Sequence, residues 1–482
     1  MTDSKSSRTP ENRDSTAALD IYCIAIGGTG MAPLACLLQD LGHRVRGVDK
    51  PLYPPMSTLL ADAGIEPLVG YDAAHLEDGP RPDLVIVGNA VPRTNPEAEA
   101  AERLGLEYLS MPQALSRFLL ADRQPLVVAG THGKTTTTSM AAWVWEACGE
   151  DPGFLVGGIP KNLDRSFQVG SGRRFAIEGD EYNAAYFDRG PKFLHYRPHA
   201  LILTSVEHDH VDLYDDPAQL IDAYQRLIAL LPADGLLVAY GDSPDVRAVA
   251  ADAPCAVRTY GLDPSNDVHP HDLDASAEGS RFCLPDAGGT MVDVHLAVPG
   301  EHNLVNALAV WTVAIHDGLP AAEVAAALGR FDGAKRRLDE LGTASGVTVV
   351  DDFAHHPTAV GKSLGGLRQR YPGRRIVALF EPRSLTAGRT FFHDAYRDAF
   401  AHADVVRFAP IFYRERLADD EALDLDALAA ELIEAGVDAK PCVSIDALQD
   451  EVLADAKPGD VLVTMSSGAF EGLPHRLLTA LG

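Results

Sequence analysis

A chain of 482 residues with 41 Lys and Arg against 69 Asp and Glu carries a formal net charge of -28. That balance excludes nucleic acid and anionic membrane surfaces as general partners, because both demand a basic face. Hydrophobic residues at 46% supply several cores, and the length predicts about three domains at about 150 residues each.

In chain order, residues 1–18 are polar and lack the apolar centre of a signal peptide, so they read as a disordered tail. IYCIAIGGTGM from Ile21 reads as a buried strand and glycine turn, followed by a helix ending near Gly42 and the strand RVRGVD, a βαβ opening. Its turn has Gly28 and Gly30 of a GxGxxG pattern but Pro33 at the third position, and Asp49 is placed like a ribose-binding acid. Nucleotide binding and a purely structural turn both remain open on these residues. DLVIVG, LEYLS and the helical MPQALSRFLLAD complete a first domain at 19–123.

The run PLVVAGTHGKTTTTSMAAWVW at 125–145 reads as strand, phosphate loop and helix. Gly130 and Gly133 allow backbone N-H groups to turn inward, the helix start presents its positive dipole end, and Lys134 adds a charge for outer phosphates. Val128 stands where the usual pattern has its first glycine, so the loop is a shortened variant. The strands GFLVGG, RRFAIEGDEYN and ALILTSVEHDHVD end in Glu178, Asp180, Glu181, Glu207, Asp209, His210 and Asp212, on the rim expected to hold Lys134. These acids favour a metal-nucleotide site. A helix from Asp216, short strands through 256–298 and the helix GEHNLVNALAVWTVAIHDG, with Gly300, Glu301 and Asn303 as a polar cap, extend the central domain over 124–334. Lys335, Arg336 and Arg337 invite an anion or form a linker, and strand-helix alternation from Val347 predicts a doubly wound third domain at 335–482. Six cysteines without a CxxC pair suit reduced thiols, no run approaches membrane-spanning length, and a cytoplasmic location is expected.

The ordered blocks GTHGKTTT at 130–137, Glu178, EHDHVD at 207–212, EHNLVNALA at 301–309, FDGAKRR at 331–337 and DDFAHHP at 351–357 resemble the Mur ligase family, ATP-dependent amide-forming enzymes of peptidoglycan assembly. The resemblance covers the chain from about residue 20 onward. It implies an α/β, three-domain architecture: a Rossmann-like domain for a UDP sugar, a central P-loop ATPase and a C-terminal domain for the amino substrate.

ATP would then lie against Gly130, Thr131, His132, Gly133, Lys134, Thr135 and Thr136, with Asn303, Asn306, Arg337 and Asp352. Lys134, Glu178 and His210 would be catalytic, and Thr135, Glu178 and His210 would hold Mg2+. Magnesium prefers oxygen, so chemistry alone leaves His210 open between a ligand and a hydrogen-bonding neighbour. Gly28, Thr29, Gly30 and Asp49 would face UDP-N-acetylmuramate, and His355, Arg383, Ser384, Ser466 and Ser467 the amino substrate, with Arg389 as a further donor.

The blocks YPPMS at 53–57, PGFLVGGIP at 152–160, HYRP at 195–198 and EPRS at 381–384 resemble the family member that attaches the recovered murein tripeptide L-alanyl-γ-D-glutamyl-meso-diaminopimelate. The sister enzyme for free L-alanine and a nucleotide-binding regulator without turnover stay as alternatives. The expected oligomeric state is a monomer or dimer.

Several Mur ligases use a carbamylated lysine shortly after the block matching EHDHVD, yet this chain has no lysine between Lys192 and Lys335. Activity is therefore expected to be indifferent to added bicarbonate. Assay in carbon-dioxide-depleted buffer checks this, and rescue by bicarbonate would contradict it.

Overall fold

The structure is a computed structural model that describes residues 18–207, 213–214 and 216–482. The polar tail before Ala18, and Asp209, His210 and Asp212, lie outside the described residues. Two compact units emerge, one holding the chain through Leu119 together with Asn183–Gly190, the other Leu120–Tyr182 with Pro191–Gly482.

In the first unit, β1 (Asp20–Ile24), β2 (Arg44–Asp49), β3 (Leu68–Val69), β4 (Leu84–Val87) and β5 (Tyr108–Ser110) form a parallel sheet in the order β3-β2-β1-β4-β5. The order reverses beside β1, so the turn after it, which carries Gly28 and Gly30, opens at the switch point where such sheets take ligands. The helix Met31–Asp40 buries an apolar face that includes Leu34, Leu37 and Leu38. Elsewhere in this unit Glu97 is fully buried, yet accepts bonds from the Tyr22 hydroxyl at 3.1 Å and the Asp72 N-H at 3.1 Å and meets His75 Nδ1 at 2.7 Å. Those contacts satisfy a carboxyl group whose pKa burial pushes up.

The second unit begins with β6 (Gln124–Ala129), β7 (Gly153–Leu155), β8 (Phe167–Gln168) and β9 (Arg174–Gly179). The hairpin of β10 (Asn183–Ala185) and β11 (Asp188–Pro191) follows, and Asn183–Gly190 of it packs with the first unit. With β12 (Ala200–Leu203), β13 (Leu236–Tyr240) and β14 (Ala256–Tyr260), the sheet order is β14-β13-β12-β6-β9-β7-β8, parallel except at β8. β6 is central, and its buried residues Leu126–Ala129 read as a continuous apolar run because both faces are covered. The helices Lys134–Ala147 and Glu301–His316 pack into the same core through Met140, Trp145, Leu308 and Trp311. β15 (His271–Ser276), β16 (Gly279–Pro285) and β17 (Met291–Leu296) add a small antiparallel sheet.

A last sheet joins β18 (Asp339–Ala344), β19 (Val347–Asp352), β20 (Ile376–Phe380), β21 (Val405–Phe408), β22 (Asp438–Pro441) and β23 (Val461–Met465) in the order β18-β19-β23-β20-β21-β22. Just past Lys335–Arg337, Asp339–Ala344 forms edge strand β18, antiparallel to β19. Its sequence DELGTA lacks apolar alternation, because pairing with the wholly buried β19 supplies what pattern does not. The expected polar cap at Gly300 also differs: no side chain caps that helix, and Asn303 Nδ2 turns back to donate to the Pro299 carbonyl at 2.7 Å.

Candidate active site

The phosphate loop leaves the end of β6 through Gly130 (φ 129°) and enters its helix through Gly133 (φ 83°), both left-handed conformations that favour glycine. A Cβ on Gly130 would strike Thr204 Oγ1 and the Ser205 backbone, so this position also needs glycine for close approach to the next strand end. That strand end holds the loop in shape. Thr204 Oγ1 donates to Ala129 O at 3.1 Å, the His132 N-H to Ser205 Oγ at 2.9 Å, and the Glu207 N-H to Thr131 Oγ1 at 2.9 Å, while Thr131 Oγ1 donates to Glu207 O at 3.0 Å. No side chain caps the helix Lys134–Ala147, whose first N-H groups form an anion-binding terminus.

Lys134 is mostly buried, its side chain 16% exposed, and its Nζ donates to Gly130 O at 2.6 Å and to both Glu181 carboxylate oxygens at 2.9 Å. Burial works against the ammonium, but Glu181, then Asp180 and Glu178, more than offset it and hold its pKa above the ordinary lysine value. Glu181, 3% exposed, also accepts the Tyr224 hydroxyl at 2.6 Å. Beside it Asp180 takes a bond from Lys192 at 2.7 Å; burial pushes its pKa up, but Lys192 and Lys134 outweigh that and hold it low.

Glu178 lies across the loop. Its Oε2 accepts from Thr135 Oγ1 at 3.0 Å and its Oε1 from the Gly157 N-H at 2.6 Å. Desolvation pushes its pKa up despite Gly157, Arg337, Lys134 and Thr135, so this carboxylate gains from any further cation. Arg337 donates to Thr135 Oγ1 at 2.9 Å and stacks its guanidinium 4.6 Å from the Phe353 ring centre. His132, Gly133, Thr136, Asn303, Asn306, Arg337 and Asp352 all line one cavity of about 750 Å³. His302 lines it too, and burial followed by Lys362 pushes its pKa down to about 4, so a neutral imidazole faces the cavity at pH 7. Asp352 is committed locally, accepting from the Leu338 N-H at 2.6 Å, the Ala354 N-H at 2.7 Å and Ser363 Oγ at 3.2 Å.

At the strand ends of the last sheet, buried Glu381 accepts from Ser466 Oγ and stands 3.5 Å from Arg383, whose guanidinium lies 3.8 Å from the Phe412 ring centre. Arg336 Nη2 holds the facing loop by donating to the carbonyls of Ser466, at 2.8 Å, and Gly468. Ser467 is half-buried on that loop. Ser384 Oγ accepts the Ala387 N-H at 2.9 Å, which leaves its O-H to donate, and Arg389 pairs with Glu421 at 3.3 Å. His355 Nδ1 lies 3.0 Å from its neighbour's carbonyl at Phe353. In the first unit, Gly28 and Thr29 are exposed ahead of a helix whose N-cap, Gly30, offers no side chain. Asp49 accepts from the N-H groups of Gly27 at 2.8 Å and Lys50 at 2.7 Å and from the Tyr71 hydroxyl at 3.0 Å, which shapes the turn.

Three family descriptions match in order: the Mur ligase family catalytic domain at 20–123, the Mur ligase middle domain at 128–314, and the Mur ligase glutamate ligase domain at 336–468. A UDP-N-acetylmuramate–L-alanyl-γ-D-glutamyl-meso-2,6-diaminoheptandioate ligase of Escherichia coli (strain K12) is 40% identical over 96% of this chain and 98% of its own. The chain belongs to the Mur ligase family. A UDP-N-acetylmuramate–L-alanine ligase of Kineococcus radiotolerans is 37% identical over 96% of each chain. The crystal structure of a murein peptide ligase from Psychrobacter arcticus 273-4 matches with TM-score 0.73 and 33% identity, covering 96% of this chain and 99% of that one.

As a Mur ligase the protein is an ATP-dependent amide-bond-forming enzyme with three α/β domains. Sequence reasoning missed Glu181 as the partner of Lys134 and Tyr224 behind it. The run EGDEYN shows an acid cluster but not which acid turns inward. It also missed Ser205 and Phe412, where only contact across the fold reveals a role, and Arg336, expected to meet an anion, instead donates to the carbonyls of Ser466 and Gly468.

Lys134→Ala is expected to lower ligation by about 10²–10³-fold while the protein stays folded, because the ammonium is the buried charge that can meet phosphate oxygens. Turnover assays with circular dichroism check this. A folded variant with normal turnover would remove the phosphate-loop assignment.

Proposed function

We propose that the chain is the ATP-dependent ligase that joins the carboxylate of UDP-N-acetylmuramate to the amino group of the recycled tripeptide L-alanyl-γ-D-glutamyl-meso-diaminopimelate. The observation that carries the choice of amino substrate is the Arg383 seat in the EPRS block, a guanidinium held by Phe412 and Glu381 at the strand ends of the last domain. A peptide with several carboxylates has use for such a planar fork, whereas free L-alanine offers one. The similar identity to an L-alanine ligase keeps that enzyme as the second reading.

An amide forms from a carboxylate only once its oxygen becomes a leaving group. Transfer of the γ-phosphoryl group of ATP to that oxygen gives an acyl phosphate and ADP; the amine then attacks the acyl carbon, loses its proton and expels phosphate. In this reading Lys134 exchanges Glu181 for β and γ phosphate oxygens, and the uncapped N-terminus of its helix binds the same group. The adenosine part occupies the cavity beside Asn303, Asn306 and neutral His302. Glu178 and Thr135, 3.0 Å apart and with the carboxylate short of countercharge, fit Mg2+, with His210 as a third contributor. Magnesium there would draw charge from the transferring phosphoryl group. The Gly28–Gly30 turn and the helix behind it bind the UDP pyrophosphate in the first unit, with Asp49 setting the turn's shape.

Among the described residues no helix is long and apolar enough to cross a membrane. A cytoplasmic monomer or dimer remains our reading.

The tripeptide is expected to be used far more efficiently than L-alanine, and Arg383→Ala to raise the peptide KM about ten- to hundredfold, as the loss of a charge-assisted bond implies, with the KM values for ATP and UDP-N-acetylmuramate nearly unchanged. Gly468→Ala should do the same, because a Cβ there would occupy the space of the Arg383 guanidinium. Steady-state kinetics with each substrate varied checks both. Equal use of L-alanine, or a defect confined to ATP, would move the assignment to the second reading.

A further inference from the structure

A second polar cluster lies on the other side of the phosphate loop from Glu178. His132 Nε2 is 3.2 Å from Glu207 Oε2, the His132 and His356 rings are 4.7 Å apart, and one donor atom from each of the three residues lies within 4.8 Å of the other two. A tetrahedral cation with bonds of about 2.1 Å sets its donors about 3.4 Å apart, so one edge is already formed and the others close with a small inward shift of His356. The donors come from three separate segments: the phosphate loop, the end of β12, and the turn before the helix Pro357–Arg370.

Each donor is held in place by its own contacts. The His132 N-H is fixed on Ser205 Oγ and the Glu207 N-H on Thr131 Oγ1, both at 2.9 Å, while Thr358 Oγ1 donates to Glu207 Oε2 at 2.7 Å. His356 is buried with its ring 4.8 Å from that of Phe392. Burial pushes the Glu207 pKa up, but His132, Thr358 and His356 outweigh that and hold it at about 2, so the carboxylate is charged at neutral pH. The Thr358 N-H donates to His356 Nδ1 at 3.3 Å.

We propose that His132, Glu207 and His356 form a binding site for a divalent cation of the zinc class, distinct from the magnesium-nucleotide pair Thr135 and Glu178. Two imidazoles and one carboxylate match the ligand taste of Zn2+ and Co2+, whereas Mg2+ prefers oxygens in an octahedron. Bound there, the cation would tie the phosphate loop to the third domain, since His132 and His356 belong to different domains.

The test is titration of the full chain with Co2+, without nucleotide and in excess Mg2+, read by visible absorption and by competition with a chromophoric chelator. We expect one equivalent bound, with a spectrum of a four- or five-coordinate nitrogen and oxygen site. Glu207→Gln and His356→Ala should each weaken binding at least about tenfold, while Glu178→Gln and the remote His269→Ala/His271→Ala variant retain it. Glu207→Gln keeps the side chain's shape, and circular dichroism confirms folding. No stoichiometric Co2+ binding, displacement by millimolar Mg2+, or equal binding by both Glu207→Gln and His356→Ala would overturn the site.

Discussion

A buried ammonium must have a counter-anion, and that requirement at Lys134 organises the centre of this protein. Removing one partner of a buried pair costs several kcal/mol, on the order of 3–5, so Glu181 cannot release the lysine unless another anion replaces it. The arrangement suits a phosphoryl-transfer enzyme: Lys134 stays charged, positioned and sheltered, and only a ligand bringing its own negative oxygens can compete with Glu181. Tyr224 gives Glu181 a second hydrogen bond that does not depend on the lysine. The same logic runs through Glu178, where burial raises the pKa in spite of Gly157, Arg337 and Lys134.

The two arginines after Ala334 connect this centre to the last domain. Arg337 reaches back to Thr135 on the phosphate-loop helix, while Arg336 holds the carbonyls of Ser466 and Gly468 in the loop after β23. Adjacent residues thus contact the phosphate-loop helix and the loop after β23. Arg336 adopts a left-handed φ of 61°, and its guanidinium lies 5.2 Å from the Phe353 ring centre, with that of Arg337 at 4.6 Å. Asp352 anchors the same crossing through the Leu338 N-H, a partner that satisfies this buried carboxylate.

Much of this was legible in the sequence because it rests on local rules. Glycines with positive φ, a lysine at a helix start and apolar runs of strand length located the phosphate loop and most strands of all three domains. What stayed hidden depends on partners far along the chain. β18 is a strand through pairing with β19, not through its own pattern. Glu181 rather than Asp180 faces Lys134 because of a turn after β9 that no periodicity encodes. The backbone N-H groups that donate to Ser384 and Asp352 could not be read from the letters either. Gly468 has no evident purpose in the sequence until the guanidinium of Arg383 is seen in the space its missing Cβ leaves.

The central claim is that this chain activates a carboxylate by phosphorylating it, and oxygen transfer tests that most directly. UDP-N-acetylmuramate labelled with oxygen-18 in its carboxylate would be incubated with the enzyme, ATP, magnesium and the tripeptide, and the released phosphate analysed by mass spectrometry. The account predicts one labelled oxygen in the phosphate for each amide formed. Amide formation with unlabelled phosphate would contradict it.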